Sequence, residues 1–151
     1  MHSNITYIAL SEERPNDPNW QKKVSLHTNR RPKEWKTIVT TDLIKILKKE
    51  NSPLIIDSIG GFIMEYINLE DKEWIKKKFL LINQLKIRNE VTLIVGEQVG
   101  LGLVSEYEIG NRYIERIGEL QKEISLISGE NWLTLNGRAI QLENISFEIP
   151  R

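Results

Sequence analysis

Apolar positions along this chain fall into short β-rich runs, separated by longer stretches in which they recur every three or four residues. The first run, Ile-Thr-Tyr-Ile-Ala-Leu over residues 5–10, is β-branched and aromatic and apolar at nearly every position, the pattern of a buried strand. A polar loop follows. Asp17 and Pro18 supply an N-cap and a first-turn proline to a helix predicted over residues 19–30. Pro32 ends it, because the residue before a proline is pushed out of the α region, and a short strand is predicted at 35–39. Thr41-Asp42 caps a helix running to residue 50. Asn51-Ser52-Pro53 breaks that helix before Leu54-Ile-Ile-Asp57, a short apolar strand ending on a carboxylate.

The second half repeats the alternation. Helical spacing covers 62–68 and 71–88, a strand covers 91–95, and a long helix covers 106–127. Strands at 132–135 and 139–142 flank Asn136-Gly137, a two-residue hairpin turn by its chemistry, and the tail 143–151 is expected to be weakly ordered. Short buried strands alternating with helices define an α/β layered fold with a mostly parallel sheet. In such sheets ligands bind beyond the carboxyl ends of the strands, which here carry Ser11, Asp57 and the segment 97–102.

Composition narrows the class. The 151 residues, 40% of them hydrophobic, fit one globular domain, taken as 1–142 with the tail 143–151 outside it. A domain of this size buries roughly 70% of its unfolded surface and needs neither disulfide nor structural metal. The 21 basic and 21 acidic side chains cancel, which argues against a partner held by net field, whether nucleic acid or acidic membrane. With no cysteine, and with histidines only at 2 and 27, there is no thiolate and no histidine metal cluster, so a bound metal would be magnesium held by carboxylate or phosphate. Apolar stretches fall short of the ~20 residues of a membrane helix and no secretory leader is evident, so a cytoplasmic location is expected.

Few residues carry chemistry. His27 is the one interior histidine, placed either to act as a neutral-pH nucleophile or acid/base group, or simply to complement the dipole at a helix end. Lys22, Lys23, Arg30 and Arg31 surround it in sequence, as a phosphate site demands or as a solvated basic helix face provides. Asp57 stands where nucleotide-binding α/β proteins hold magnesium, and equally where a residue would cap the next helix. Gly60-Gly61 and Gly100-x-Gly102 read as turns or as points of close backbone approach. The phosphate-cradling pattern G-x-x-x-x-G-K-[ST] does not occur, and Lys36-Thr37 has no upstream glycines to make one.

Several motifs, in order along nearly the whole chain, resemble the adenosylcobinamide kinase/adenosylcobinamide-phosphate guanylyltransferase family. Tyr7-Ile8-Ala9 followed by Ser11 looks like that family's second strand. The segment from His27 through Arg31, Pro32 and Trp35 looks like its H-x-x-x-R-P-x-x-W motif, the most specific of the set. Leu54-Ile-Ile-Asp57-Ser58 resembles the strand bearing a Walker-B-like acid, Val99-Gly100-Leu101-Gly102-Leu103-Val104 resembles the V-G-x-G-[IV]-V loop, and the Trp132 strand through Gly137 resembles the terminal strand.

The resemblance implies a three-layer P-loop NTPase-like α/β fold with a C-terminal hairpin. It implies a two-step transferase: phosphorylation of adenosylcobinamide by a nucleoside triphosphate, then GMP transfer from GTP to adenosylcobinamide phosphate through a guanylylated histidine, here His27. Ala9, Leu10, Ser11, Thr28, Asn29, Arg30, Arg31 and Asp57 are the implied nucleotide contacts, Asp57 also holding Mg2+. GTP, ATP and Mg2+ are the implied cofactors, and adenosylcobinamide and its phosphate the implied partners, with homo-oligomers left open.

The chain departs from the family pattern at several places. It begins where the family's first strand and P-loop should end, so Met1 is expected to be an internal methionine or the chain a fragment, folding poorly alone and lacking kinase activity. Val39 replaces an acid, Glu97-Gln98 stand for an asparagine–glutamate pair, Ser105 for a proline, and Tyr113-Ile114-Glu115 for F-R-D. Two alternatives to the enzyme are a catalytically silent remnant that binds guanine nucleotide or a partner, and a regulatory α/β module whose His27 segment grips another anion.

Overall fold

The computed structural model describes residues 4–12, 14–100, 102, 104–147 and 149. Met1 and His2, and Leu101 and Leu103 of the glycine loop, lie outside the described residues. Among the described residues, strands β1 (Thr6–Leu10), β2 (Lys36–Thr40), β3 (Leu54–Asp57) and β4 (Thr92–Ile94) form one parallel sheet in the order β2-β1-β3-β4. Helices α1 (Pro18–Asn29), α2 (Leu43–Leu47), α3 (Ile59–Glu65), α4 (Asp71–Lys86) and α5 (Glu108–Ser125) connect and cover them. Strands β5 (Trp132–Leu135) and β6 (Arg138–Gln141) form a separate antiparallel hairpin, followed by a 3-10 turn over Leu142–Asn144.

Local chemistry sets the starts of two helices and the hairpin turn. The Asp17 carboxylate accepts from the amides of Asn19 (3.0 Å) and Trp20 (3.1 Å), with Pro18 opening α1. Asp42 caps α2 by accepting from the Lys45 amide at 3.0 Å. At the hairpin, Asn136 (φ 51°) and Gly137 (φ 73°) both take the left-handed region that a type I′ turn requires.

Two helices differ from the sequence expectation for tertiary reasons. Helix α2 stops at Leu47 rather than residue 50, and Glu50 leaves the helix to accept from Lys36 Nζ (2.8 Å) and Thr6 Oγ1 (3.2 Å). Helix α3 covers 59–65 instead of 62–68: it starts directly after Ser58, and the carbonyls of Tyr66 and Ile67, just past its end, are claimed by Arg116 from α5. The other boundaries move by no more than two residues, as frayed ends do.

The core forms on one face of the sheet. Ile8 and Leu10 of β1 and Leu54 and Ile56 of β3 pack with Leu43 and Leu47, Phe62 and Ile63, Trp74 and Leu81, and Ile117 and Leu120. Each such fully buried side chain contributes about 1.5–3 kcal/mol. Among the described side chains, none from helix α1 joins this core. Strand alternation sends Tyr7, Ala9, Ile55 and Asp57 to the opposite face. Strand β4 is an edge, with Val91, Leu93 and Val95 exposed along it.

Candidate functional site

The site forms where β1 and β3 end. In the parallel register Ala9 lies opposite Asp57, so Ser11 and the Asp57 side chain emerge at the same carboxyl edge. Asp57 is not the cap of α3: Ser58 holds that position, and the Asp57 carboxylate instead accepts a hydrogen bond from the Tyr7 hydroxyl. The Tyr7 phenol is pushed up to about 12, chiefly by burial and then by the Asp57 carboxylate, with Arg31 opposing, so it remains a protonated donor at neutral pH.

Arg31 reaches this pair from the other side. Helix α1 ends at Asn29, the Arg31 amide donates to the Thr28 carbonyl (3.1 Å), and the Trp35 amide closes the next turn on the Pro32 carbonyl (3.1 Å) before β2. That path lays the Arg31 guanidinium over the Tyr7 ring, 3.5 Å from its centroid, a cation–π contact. Arg31 is therefore no member of a solvated helix face. His27, in the last turn of α1, and Arg30, just after the helix, are exposed. Asn29 and Thr28 are exposed too, the Thr28 hydroxyl donating back to the Val24 carbonyl at 2.9 Å. Leu10 sends its side chain into the core, leaving only its backbone at the strand end.

A second cluster adjoins the first. Glu97, just past β4, accepts from the Ser58 hydroxyl and from the Gly60 amide (3.2 Å), while its own carbonyl accepts from Gln121 Nε2 (2.9 Å). Burial, then the charge of Glu97, raises the Tyr113 phenol above its ordinary value. Gly60 and Gly61 are points of close approach inside α3, not turns. A Cβ on Gly60 would strike the Tyr113 hydroxyl and the Glu97 carboxylate, and one on Gly61 would strike the Leu10 carbonyl.

The sequence reading had Asp57, Arg31 and the strand ends, but missed Tyr7 and the Ser58–Glu97 tie. The available signal was alternation: Tyr7 shares a face with Ala9, as Ile55 does with Asp57. It becomes informative only once β1 and β3 are known to be neighbours.

A parallel sheet of this order, with a carboxylate at one strand end and a basic segment folded over it, is an α/β fold of the P-loop NTPase type. Residues 1–142 match the family described as cobinamide kinase / cobinamide phosphate guanyltransferase, and the chain belongs to that family. It is thereby a transferase of cobalamin biosynthesis, in nucleotide-loop assembly, a family that acts on cobinamide with nucleotides. A comparison with curated proteins found no match. Among the described residues no helix is long and apolar enough to cross a membrane.

Proposed function

We propose that this chain carries out the guanylyl-transfer half of the family's chemistry, with His27 as the residue that accepts GMP. The observation that carries the reading is the Tyr7 tie, which gathers Arg31, four residues beyond His27, and Asp57 onto one side chain at the carboxyl edge of the sheet. A guanidinium beside a strand-end carboxylate is what a magnesium-bound triphosphate needs, the fork meeting phosphate oxygens and the carboxylate facing the cation.

In the first step the unprotonated imidazole nitrogen of His27 attacks the α-phosphorus of GTP. A P–N bond forms, the bond to the β-phosphate oxygen breaks, and pyrophosphate leaves. In the second, a phosphate oxygen of adenosylcobinamide phosphate attacks the same phosphorus, the P–N bond breaks, and the imidazole is regenerated with adenosylcobinamide-GDP as product. Arg31 and Arg30 hold phosphate oxygens through both steps, and the backbone of Ala9, Leu10 and Ser11 with Thr28 and Asn29 lines the nucleotide. Exposure of His27 suits a residue that must meet two substrates in turn.

Magnesium fits this donor set. It keeps several waters and takes one or two carboxylates plus substrate phosphates, and the described residues offer Asp57 with no cluster of three or more acidic or histidine ligands. When bound it neutralises phosphate charge.

The test is incubation of the 151-residue chain with GTP and magnesium, followed by intact-mass measurement. A gain of one GMP, reversed by acid and absent from His27→Ala, is expected. GTP binding without an adduct would instead establish the silent remnant, and equal affinity for GTP, ATP and pyrophosphate a general anion module.

A further inference from the structure

We propose that Tyr7 is a positioning residue that keeps the Arg31 guanidinium and the Asp57 carboxylate close but unpaired, so that both remain available to a nucleotide; this rests on the guanylyl-transfer reading.

The two charged groups use opposite parts of one phenol. The ring lies under Arg31, 3.5 Å from its centroid, and the hydroxyl donates to Asp57. Among the described residues neither Arg31 nor Asp57 belongs to an ion pair, although both attach to the same side chain. An arginine and a carboxylate gathered on one side chain can close into a bidentate fork, which satisfies both and leaves neither for phosphate or cation. Tyr7 blocks that collapse in two ways. Its ring, only 7% exposed on a strand paired on both sides, cannot move aside, and its hydroxyl occupies a carboxylate oxygen that the guanidinium would otherwise take.

The geometry also separates Tyr7 from a plain core residue. Its face of β1 is opposite that of Ile8 and Leu10, and it is absent from the hydrophobic cluster they join. Replacing it should therefore alter the coupling of the two charged groups more than the packing of that cluster.

The experiment measures equilibrium binding of the α,β-methylene analogue of GTP, with magnesium, to the full chain by calorimetry. Wild type, Tyr7→Phe, Tyr7→Leu, Asp57→Asn and the two double variants are compared, each confirmed folded by its thermal transition. Tyr7→Leu is expected to weaken binding about tenfold and Tyr7→Phe, which keeps the stacked ring, about threefold. The distinguishing readout is the coupling: Asp57→Asn should cost at least about threefold less in a Tyr7 variant than in wild type, because there Asp57 also sequesters Arg31. A merely structural Tyr7 gives equal costs in both backgrounds, and that equality overturns the proposal while leaving guanylyl transfer intact. If Tyr7→Leu does not fold, the Tyr7→Phe pair decides by the same comparison. If wild type neither binds the analogue nor takes GMP on His27, the functional reading falls and the proposal with it.

Discussion

Arg116 holds the framework behind the site, and its replacement by methionine gives the sharpest stability prediction. The side chain is 3% exposed and its guanidinium donates to the carbonyls of Tyr66 (2.9 Å), Ile67 (3.0 Å) and Leu69 (2.6 Å) and to Asp71 Oδ1 (3.2 Å). The three carbonyls lie in the turn that follows α3, where that of Tyr66 also takes the Leu69 amide (3.1 Å), so α5 completes the α3–α4 connection. Bonds from a charged donor are worth about 1.5–3 kcal/mol each, but methionine refills the stem volume and water reaches part of the turn, so the net loss is about 3 kcal/mol. For a domain of this size that lowers Tm by about 6–12 °C. The Asp71 pair is a minor part: its side chain is 90% exposed, and Asp71→Asn should cost under about 1 kcal/mol. Urea unfolding followed by circular dichroism and tryptophan fluorescence measures all of these. Arg112→Met, which breaks the exposed Glu108 pair and a long 3.5 Å bond to the Ile67 carbonyl, is the control at about 0.5–1 kcal/mol. An Arg116→Met loss within 1 kcal/mol of that control would refute the reasoning, showing that the carbonyls find other donors at little cost.

Three further outcomes follow from the same structure. Gly61→Ala should destabilise by about 1–3 kcal/mol despite better helix propensity, because its Cβ meets the Leu10 backbone, whereas Gly118→Ala, with open space around it, should stabilise by about 0.5–1 kcal/mol; melting of both variants checks the pair. The raised Tyr7 value means that the native state holds its proton longer than the unfolded chain, so its contribution is full below pH 10 and is lost as pH rises toward about 12; a difference phenolate titration of wild type against Tyr7→Phe should show that late component. Glu50 is held below the usual carboxylate range first by the Lys36 hydrogen bond, so the stability it lends is present above pH 4.5 and lost as pH falls through its depressed value. Glu50→Gln should flatten that acid limb in urea melts, and an unchanged limb would show the pair to be idle.

Much of the architecture was legible from local pattern. The strands at 54–57 and 132–135, the Asp17–Pro18 start of α1, and the Asn136-Gly137 turn are where the chain predicts them. In each case the cause lies within a few residues: an apolar run, a side-chain cap, a left-handed turn pair. The H-x-x-x-R-P-x-x-W segment and the Asp57 strand were likewise readable as a family resemblance, and the match over 1–142 confirms the family.

Contacts between distant segments were not readable in this way. Nothing local says that β1 sits between β2 and β3, and without that adjacency Tyr7 and Asp57, fifty residues apart, have no reason to meet. The same holds for Arg116, an ordinary charged position in a helix until packing buries it under the α3–α4 turn, and for Glu97, tied to Ser58 across the ends of adjacent strands. Periodicity reports which face of an element is apolar. Which polar side chains are paired, stacked or left free depends on strand order and helix packing, and that is where Tyr7, Arg31 and Asp57 acquire their common site.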